Sequence, residues 1–251
     1  MYSVISFAEH PDYLDQLMTL SRSIWVPKLP PSRSAYLYPR ILRDFANYVL
    51  IIVDDTTHEP VGYAGGVPFV GPACLADLPD DGYDAVIEGA FNALDNHLAP
   101  TMFAALVIGI APSRQRQGLG EVMTKALCNL ARQSGFSDFV LPVRPTQKAR
   151  EPRTSMANYI RKRREDGLPQ DTWIRLHTRL GASIIKVCPA SMTMRAPLSA
   201  WEEATGMTFA KSGLFEVAGG LAPLQVDLEK GEGVLIEPNV WMHFDLRRAL
   251  I

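Results

Sequence analysis

The sequence predicts an α/β (α+β) fold, and three of its features indicate this. Residues 106–111 form an apolar run, which continues through a glycine-containing loop into a helical pattern that starts at Leu119. Residues 49–53 and 60–70 are apolar segments joined by turn-forming residues, which is the pattern of a β-hairpin. Helical patterns both precede and follow these strands, so we expect a sheet with helices packed on it.

The composition fits one large domain, or one domain with a sizeable appendage. The chain has 251 residues, 47% of them hydrophobic, and a formal net charge of -2. A near-neutral charge argues against bulk nucleic-acid binding, and no apolar stretch is long enough to cross a bilayer. The start of the chain does not have the pattern of a signal peptide. We therefore expect a cytoplasmic protein with neither nucleic acid nor membrane as a partner.

The cysteines carry no sign of a metal site or a disulfide. Cys74, Cys128 and Cys188 are widely spaced along the chain. We expect them to be buried thiols in a reducing compartment, and we expect no metal cofactor.

The N-terminal elements follow from the spacing of apolar residues and from the positions of proline. In order they are a short strand at 2–7, a helix that begins near Pro11, a helix at 35–48, the hairpin strands 49–53 and 60–70, and a helix at 83–97. Residues 102–110 are apolar nearly throughout, which predicts a central strand that is buried on both faces.

The loop at 115–120 has the pattern Gln-x-x-Gly-x-Gly between this strand and the next helix. Gly118 and Gly120 would let a ligand approach the backbone, and the amides at the start of a helix attract an anion. Arg114 and Arg116 add positive charge beside the loop. The glycine order is wrong for a dinucleotide-binding fingerprint, and Gly120 is not followed by the Lys-Ser/Thr of a P-loop. The loop therefore suits a diphosphate held in another way.

The stretch resembles motif A of the GNAT superfamily of acyl-CoA-dependent N-acyltransferases. There Gln/Arg-x-x-Gly-x-Gly/Ala follows a hydrophobic residue, any residue and proline, as Ile110, Ala111 and Pro112 do here. The resemblance implies a GNAT fold with a central mixed twisted sheet flanked by helices. It also implies acetyl-CoA or another acyl-CoA as co-substrate, with pantetheine between two splayed strands. The implied cofactor contacts are Ile108, Ile110, Gln115, Arg116, Gln117, Gly118, Leu119, Gly120 and Glu121.

A second motif follows at residues 171–182, where Asp171 suits a helix N-cap and Gly181 a helix end. GNAT proteins typically place a tyrosine before Lys/Arg-Leu-Gly-Phe in this helix, and its hydroxyl protonates the departing CoA thiolate. Here His177 stands in the tyrosine position, before Arg179-Leu-Gly-Ala. Histidine can exchange protons near neutral pH. We therefore expect His177 to be the general acid, with Tyr159 as a rival and a purely structural histidine as the alternative.

A long basic insertion, residues 144–170, precedes this helix. A solvated lid and a subsite for an acceptor carboxylate or the 3′-phosphate of CoA are both open, and we assign Arg144 and Lys148 to the acceptor. Residues 183–188 and 192–195 are predicted as the last strand pair. This divides the chain into a GNAT acyltransferase core at 1–196 and a C-terminal extension, 197–251, packed on the core.

The extension and the insertion resemble a group of GNAT-like proteins, many of them actinobacterial. The matching strings lie at 142–148, 166–169, 173–182 and 237–242. The candidate substrate contacts in this region are Trp241 and His243, to which Trp25 is added from the first helix. The candidates for a general base are Glu237, His243 and Glu88.

The function that the resemblance implies is acyl transfer, with acetyl the expected group, to the amine of a small molecule or an amino acid by direct attack. An O- or S-acyltransferase acting on a natural-product intermediate or on an acyl carrier protein is the first alternative, because an acidic carrier helix would suit the basic insertion. A non-catalytic CoA-binding module is the second, because histidine replaces tyrosine. The expected state is a monomer or a homodimer.

Overall fold

The protein is described by a computed structural model, which covers residues 1–25 and 29–248. The strands are β1 (Tyr2–Ser6), β2 (Val49–Asp54), β3 (Pro60–Phe69), β4 (Met102–Ile110), β5 (Asp138–Val143), β6 (Ser183–Pro197), β7 (Gly213–Phe215), β8 (Leu224–Asp227) and β9 (Glu232–Asp245). The helices are α1 (Leu14–Ile24), α2 (Tyr38–Asp44), α3 (Gly82–Asp95), α4 (Leu119–Gln133), α5 (Met156–Tyr159), α6 (Thr172–Arg179) and α7 (Leu198–Thr205). The predicted α/β class with a mixed, helix-flanked sheet is confirmed.

The strands form one mixed sheet in the order β1-β2-β3-β4-β5-β9-β8-β7, and β6 pairs with β9. The β4–β5 pair is parallel, and the pairs β1–β2, β2–β3, β3–β4, β5–β9 and β6–β9 are antiparallel. Strand β9 meets β5 and β8 along one edge and β6 along the other, because β6 pairs with it over most of its length.

Helices cover both faces of the sheet. Successive residues of β2 enter different apolar clusters: Ile52 joins the cluster that contains residues of α4, α5 and α6, whereas Ile51 joins the cluster beside α1. Phe103 and Ala104 alternate in the same way between the α4 cluster and the α3 cluster. Since side chains alternate along a strand, α4, α5 and α6 lie on one face and α1, α2 and α3 on the other.

The sheet opens between β4 and β5. These strands pair only at Phe103 with Phe139 and at Ala104 with Val140. Beyond that point β4 pairs with β3 alone and β5 with β9 alone, so the facing edges diverge. Pro142 pairs with Trp241 of β9 but has no partner on β4, so its missing N–H costs no hydrogen bond between β4 and β5.

A β-bulge lies in β4 where the opening begins. Gly65 pairs with Val107 and Gly66 with Ala105, so Leu106 has no partner on β3. A bulge reorients the local backbone and raises the strand twist, which turns β4 away from β5.

The C-terminal part of the sheet differs from the prediction. Residues 183–188 and 192–195 are not a strand pair; they belong to the single strand β6, whose partner is β9. Residues 198–231 form an excursion between these two strands, and Glu232–Asp245 is a central strand of the sheet. The predicted boundary at residue 196 would therefore assign β6 and β9, which pair with each other, to different parts of the chain. The sequence could not show this because an apolar strand does not reveal its partner.

The predicted helix at 35–48 is shorter than expected. It consists of α2 with 3₁₀ turns at Arg33–Leu37 and Ala46–Tyr48 on its two sides. Within the described ranges, no helix is long and apolar enough to span a membrane.

Gly66 and Gly89 give a matched test of the packing between β3 and β4. A Cβ on Gly66 would lie 2.5 Å from Cε1 of Phe103 and 2.7 Å from the carbonyl oxygen of Ala104. A Cβ on Gly89, within α3, would meet only Phe69, at 4.0 Å. We expect Gly66→Ala to lower the free energy of unfolding by about 1–3 kcal/mol through overpacking. Gly89→Ala should raise it by about 0.5–1 kcal/mol through helix propensity. Urea titration of both variants measures this, and equal stabilities would contradict the packing.

Candidate active site

The glycine loop before α4 has the backbone geometry of an anion-binding turn. Gly118 has φ of +80° and Arg116 has φ of +64°. A Cβ on Gly118 would meet no atom within 4 Å, so the space beside it is open. The left-handed conformation, and not a clash, is therefore what requires glycine at this position.

Three amide groups of the turn are available to a ligand. Within the part of the chain that the structure describes, the N–H groups of Gly118, Leu119 and Gly120 have no hydrogen-bond partner. The next two N–H groups, of Glu121 and Val122, donate to the carbonyl of Gly118 at 3.0 and 3.2 Å. Unpaired amides at a helix start, together with the helix dipole, form a site for a phosphate group.

The side chains of the turn mostly support the backbone. Gln115 donates to the carbonyl oxygen of Ile110 at 3.2 Å, and Gln117 accepts from the Tyr2 hydroxyl at 3.0 Å. Arg114 was expected to add charge for phosphates, but its guanidinium pairs with Asp54 at 3.1 Å. The guanidinium that remains at the loop belongs to Arg116, which has no ion pair within the described ranges.

The other predicted loop contacts have different roles. Leu119 is buried in the apolar cluster, and Glu121 pairs with Lys125 at 3.0 Å on the surface of α4. A Cβ on Gly120 would lie 3.0 Å from the ring of Trp173 on α6. Gly120 is therefore also required for the close packing of α4 on α6.

Ile108 and Ile110 lie on the unpaired edge of β4, on the same strand as the bulge. Both side chains pack, partly buried, against the α4 cluster. This leaves their strand edge facing the opening between β4 and β5, which leads towards the glycine turn.

His177 does not have the surroundings of a proton donor. Its side chain is 1% exposed and lies between Trp173 and Phe244, with ring centroids 4.7 and 6.1 Å away. Neither ring nitrogen has a hydrogen-bond partner within the described ranges. Burial lowers the pKa of His177 to about 3, so the imidazole is neutral near pH 7.

Tyr159, the rival acid, also has a structural partner. Its hydroxyl donates to Oδ2 of Asp171 at 2.7 Å. Burial and this hydrogen bond raise the pKa of Tyr159 well above its usual value. The other oxygen of Asp171 caps α6 by accepting from the amides of Trp173 and Ile174. Tyr159 thus fastens the insertion to the start of α6.

Arg144 and Lys148 are engaged inside the protein, which the sequence did not indicate. Arg144 makes a two-pronged pair with the buried Glu237, at 2.7 and 2.8 Å, and donates to the carbonyl of Gly219. Lys148 is completely buried, and its ammonium donates to the carbonyl oxygens of Glu151, Pro152 and Leu221. These contacts join the insertion to the 198–231 excursion and to β9.

The remaining predicted substrate contacts and bases also have partners. Trp241 is completely buried and donates to the carbonyl of Pro79, and His243 contacts Asp138 at 2.8 Å. Glu88 binds the guanidinium of Arg33. The contacts of these side chains within the protein stabilise the fold around the opening.

The α1–α3 face instead carries two pairs of aromatic side chains, Trp25 with Tyr63 and Tyr38 with Tyr83. The Tyr63 hydroxyl accepts from the indole of Trp25 at 2.8 Å and lies 3.0 Å from the Ser21 hydroxyl. Tyr38 lies edge-on to Tyr83, with ring centroids 6.5 Å apart. Apart from Trp25, none of these residues is predicted as a site residue from the sequence, because they are far apart in the chain and match no motif.

Comparison with known proteins agrees with this geometry. A profile of the acetyltransferase (GNAT) family matches residues 14–152. The arginine N-acetyltransferase avaD of Aspergillus versicolor is 29% identical over 274 residues, which cover 96% of this chain and 93% of that protein.

Two solved structures share the fold over nearly the whole chain. The loading GNATL domain of CurA from Lyngbya majuscula has a TM-score of 0.64 at 19% identity, with 98% of each chain covered. The GNAT-like decarboxylase GphF in complex with isobutyryl-CoA has a TM-score of 0.59 at 17% identity, covering 98% of this chain and 100% of that one. The family match spans more than half of the sequence and includes the glycine turn. The chain therefore belongs to the acetyltransferase (GNAT) family and is an acyltransferase.

Proposed function

We propose that this acyltransferase moves an acyl group, with acetyl the expected one, from acyl-CoA to the amine of a small molecule or an amino acid. The observation that carries the proposal is the row of unpartnered amides at Gly118, Leu119 and Gly120, at the mouth of the opening between β4 and β5. The amides suit the diphosphate of CoA, and the opening suits its extended pantetheine arm.

Direct attack by the amine fits the side chains that are present. A covalent acyl-enzyme through cysteine would need an activated thiol, but Cys128 and Cys188 are buried. Cys74, contrary to the expectation of a buried thiol, is exposed, in the loop that follows β3. Burial raises the pKa of Cys128 to about 12 and that of Cys188 further still, which keeps both in the unreactive thiol form. The rate gain then comes mainly from holding the thioester and the amine together.

Arginine is the first acceptor to test, because the related protein from Aspergillus versicolor is named an arginine N-acetyltransferase. Transfer to an acyl carrier protein is the second candidate, which the exposed Arg150, Arg161 and Arg163 of the insertion favour. Thiol release from acetyl-CoA, measured with arginine, with a panel of amines and with a carrier protein, separates the two. Release with amines supports the proposal, and release with the carrier alone overturns it.

The glycine turn can be tested with two matched substitutions. Gly118→Glu and Gly135→Glu both place a side chain at a position of positive φ, +80° and +88°, where a Cβ meets nothing within 4 Å. Only Gly118 lies at the proposed phosphate site, so Gly118→Glu should weaken CoA binding about 10²-fold or more through lost amide contacts and charge repulsion. Isothermal calorimetry with CoA measures this. Equal affinities for the two variants would overturn the assignment.

The buried imidazole of His177 should make stability depend on pH. Its folded pKa of about 3 lies below the unfolded value of about 6.5. The unfolded chain therefore binds an extra proton between these pH values, and the free energy of unfolding falls as the pH falls. In His177→Phe this contribution is absent, so the difference between wild type and variant should change by up to about 1.4 kcal/mol per pH unit below pH 6.5. Urea unfolding at pH 7, 6 and 5 tests this, and parallel curves would show that the pKa of His177 is not lowered in the native state.

A further inference from the structure

Asn239 of β9 is a buried polar residue with one unused hydrogen-bonding atom. Its side chain is 1% exposed. The nitrogen Nδ2 donates to the carbonyl oxygen of Pro142 at 3.1 Å, whereas Oδ1 has no partner among the described residues. Since a carbonyl oxygen can only accept, the carboxamide atom that contacts it is the nitrogen, and Oδ1 is the free atom. Because leaving a buried acceptor unpaired is unfavourable, Oδ1 is suited to a donor that a ligand supplies.

The carbonyl that holds this carboxamide faces the opening between β4 and β5. Opposed residues of an antiparallel pair alternate between those that exchange backbone hydrogen bonds and those that do not. The amide of Leu246 donates to the carbonyl of Ser137 at 2.8 Å, in the register of β5 with β9. By this alternation the backbone polar groups of Val140 and Pro142 point away from β9, towards β4. Val140 has a partner there, Ala104, but Pro142 has none, so its carbonyl lines the opening.

The free oxygen lies close to that carbonyl. Oδ1 and Nδ2 are bonded to the same carbon and are about 2.3 Å apart, so Oδ1 is within about 5.5 Å of the Pro142 carbonyl oxygen. Pro142 is two residues, or about 7 Å, beyond Val140, which is the last β5 residue that pairs with β4. The carboxamide of Asn239 therefore lies near the point where the two strands part.

The carboxamide lies on the face opposite the glycine turn. Trp241 belongs to the apolar cluster beside α3, whereas Val240 belongs to the cluster beside α4. Side chains alternate along a strand, so Asn239 is on the α3 face with Trp241. Cys188 of β6, which pairs with Asn239, also belongs to the α3 cluster. A CoA molecule bound at the glycine turn would reach the opening from the α4 face, so the group that meets Oδ1 from the α3 face would belong to the second substrate.

Neighbouring side chains with N–H groups have other partners. The indole of Trp241 donates to the carbonyl of Pro79 at 2.9 Å. The guanidinium of Arg144, which directly follows β5, donates to both carboxylate oxygens of Glu237 and to the carbonyl of Gly219. Within the described ranges, Oδ1 thus receives no hydrogen bond from the protein itself.

We propose that Oδ1 of Asn239 accepts a hydrogen bond from the attacking nitrogen of the amine acceptor. The inference rests on the proposed function. A neutral primary amine has two N–H groups and a lone pair, so a hydrogen bond through one N–H leaves the lone pair free to face the thioester carbon. A carboxamide oxygen is too weak a base to take a proton, so Asn239 orients the nitrogen and does not deprotonate it.

This hydrogen bond strengthens as the reaction proceeds. The nitrogen bonds to the thioester carbon and becomes positively charged, and the C–S bond breaks with its electron pair on sulfur. The nitrogen loses one proton and the CoA thiolate gains one, so the products are the amide and CoA thiol. Oδ1 carries partial negative charge and is held in place by the bond from Nδ2 to Pro142, so it stabilises the positive nitrogen without reorganisation.

Asn239→Ala and Asn239→Asp separate recognition of the amine from support of β5. Alanine removes both side-chain bonds, whereas aspartate keeps an oxygen near the position of Oδ1 and loses the amide N–H that binds Pro142. With arginine, or with the amine of the panel that releases most thiol, Asn239→Ala should lower kcat/KM about 10- to 10²-fold. Asn239→Asp should stay within about threefold of wild type. Equal losses in the two variants would show that the bond to Pro142 is what matters, and would overturn the proposal.

Ser191→Ala is the matched control for damage to this part of the sheet. Ser191 is completely buried and accepts the amide N–H of Tyr83, but it belongs to β6, on the other side of β9 from the opening. This variant should unfold at a lower urea concentration and keep kcat/KM within about twofold of wild type. A loss of kcat/KM equal to that of Asn239→Ala would make the effect structural and overturn the proposal. If Asn239→Ala does not fold, Asn239→Ser, whose hydroxyl is too short to reach the position of Oδ1, should show the same loss.

The affinity for CoA, measured by calorimetry, distinguishes the amine from the pantetheine arm as the partner of Oδ1. It should be the same within about twofold in wild type and in Asn239→Ala. A fall in CoA affinity that matches the fall in kcat/KM would assign Oδ1 to the pantetheine and overturn the proposal. Unchanged kinetics of Asn239→Ala in an active enzyme would overturn the role of Asn239 alone. A wild-type chain that releases no thiol with any amine would overturn the proposed function as well.

Discussion

The early end of pairing between β4 and β5 is the constraint on which the rest of the site depends. Two strands that stayed paired would leave no edge for an extended ligand, and the glycine turn would face a closed sheet. Leu106 and Pro142 prevent this from opposite sides, one as an extra residue without a partner and the other as a residue without an N–H. The open edge thus follows from the two strands themselves, from the extra residue in β4 and from the proline in β5.

Where two strands of a sheet separate, other contacts must hold them in position. In this protein buried polar groups make those contacts. Glu237 joins Arg144 of β5's end to the amide of Leu221, and Lys148 gathers three carbonyl oxygens from the insertion and the excursion. Burial lowers the pKa of Lys148, yet three acceptors and the nearby carboxylates keep it bonded. A buried charge of this kind stabilises only when every donor is satisfied, and it then fixes one arrangement of the chain. The basic insertion is therefore fixed to the rest of the protein by buried polar contacts and is not a loose lid.

The sequence predicted the local elements better than the long-range pairing. The strand, turn and helix at 102–133 and the capped helix at 171–181 were visible because spacing, Asp171 and the glycines report local geometry. The pairing of β6 with β9 was not visible, because the excursion 198–231 separates the two strands. Arg144, Lys148 and Trp241 looked like ligand contacts, since their residue types do not show whether the partner is a substrate or another part of the chain. Gly120 shows the same ambiguity, because one glycine serves both the turn and the packing of Trp173.

The two faces of the sheet carry different polar groups. The α4 face carries the amides of the glycine turn, which are the proposed site for the diphosphate, and its inner surface is apolar around His177, which leaves that imidazole neutral. The α3 face carries hydroxyl groups, among them those of Tyr63 and Ser34. In the proposed reaction, a carrier held from the α4 face and an acceptor held from the α3 face would meet only where the strands part.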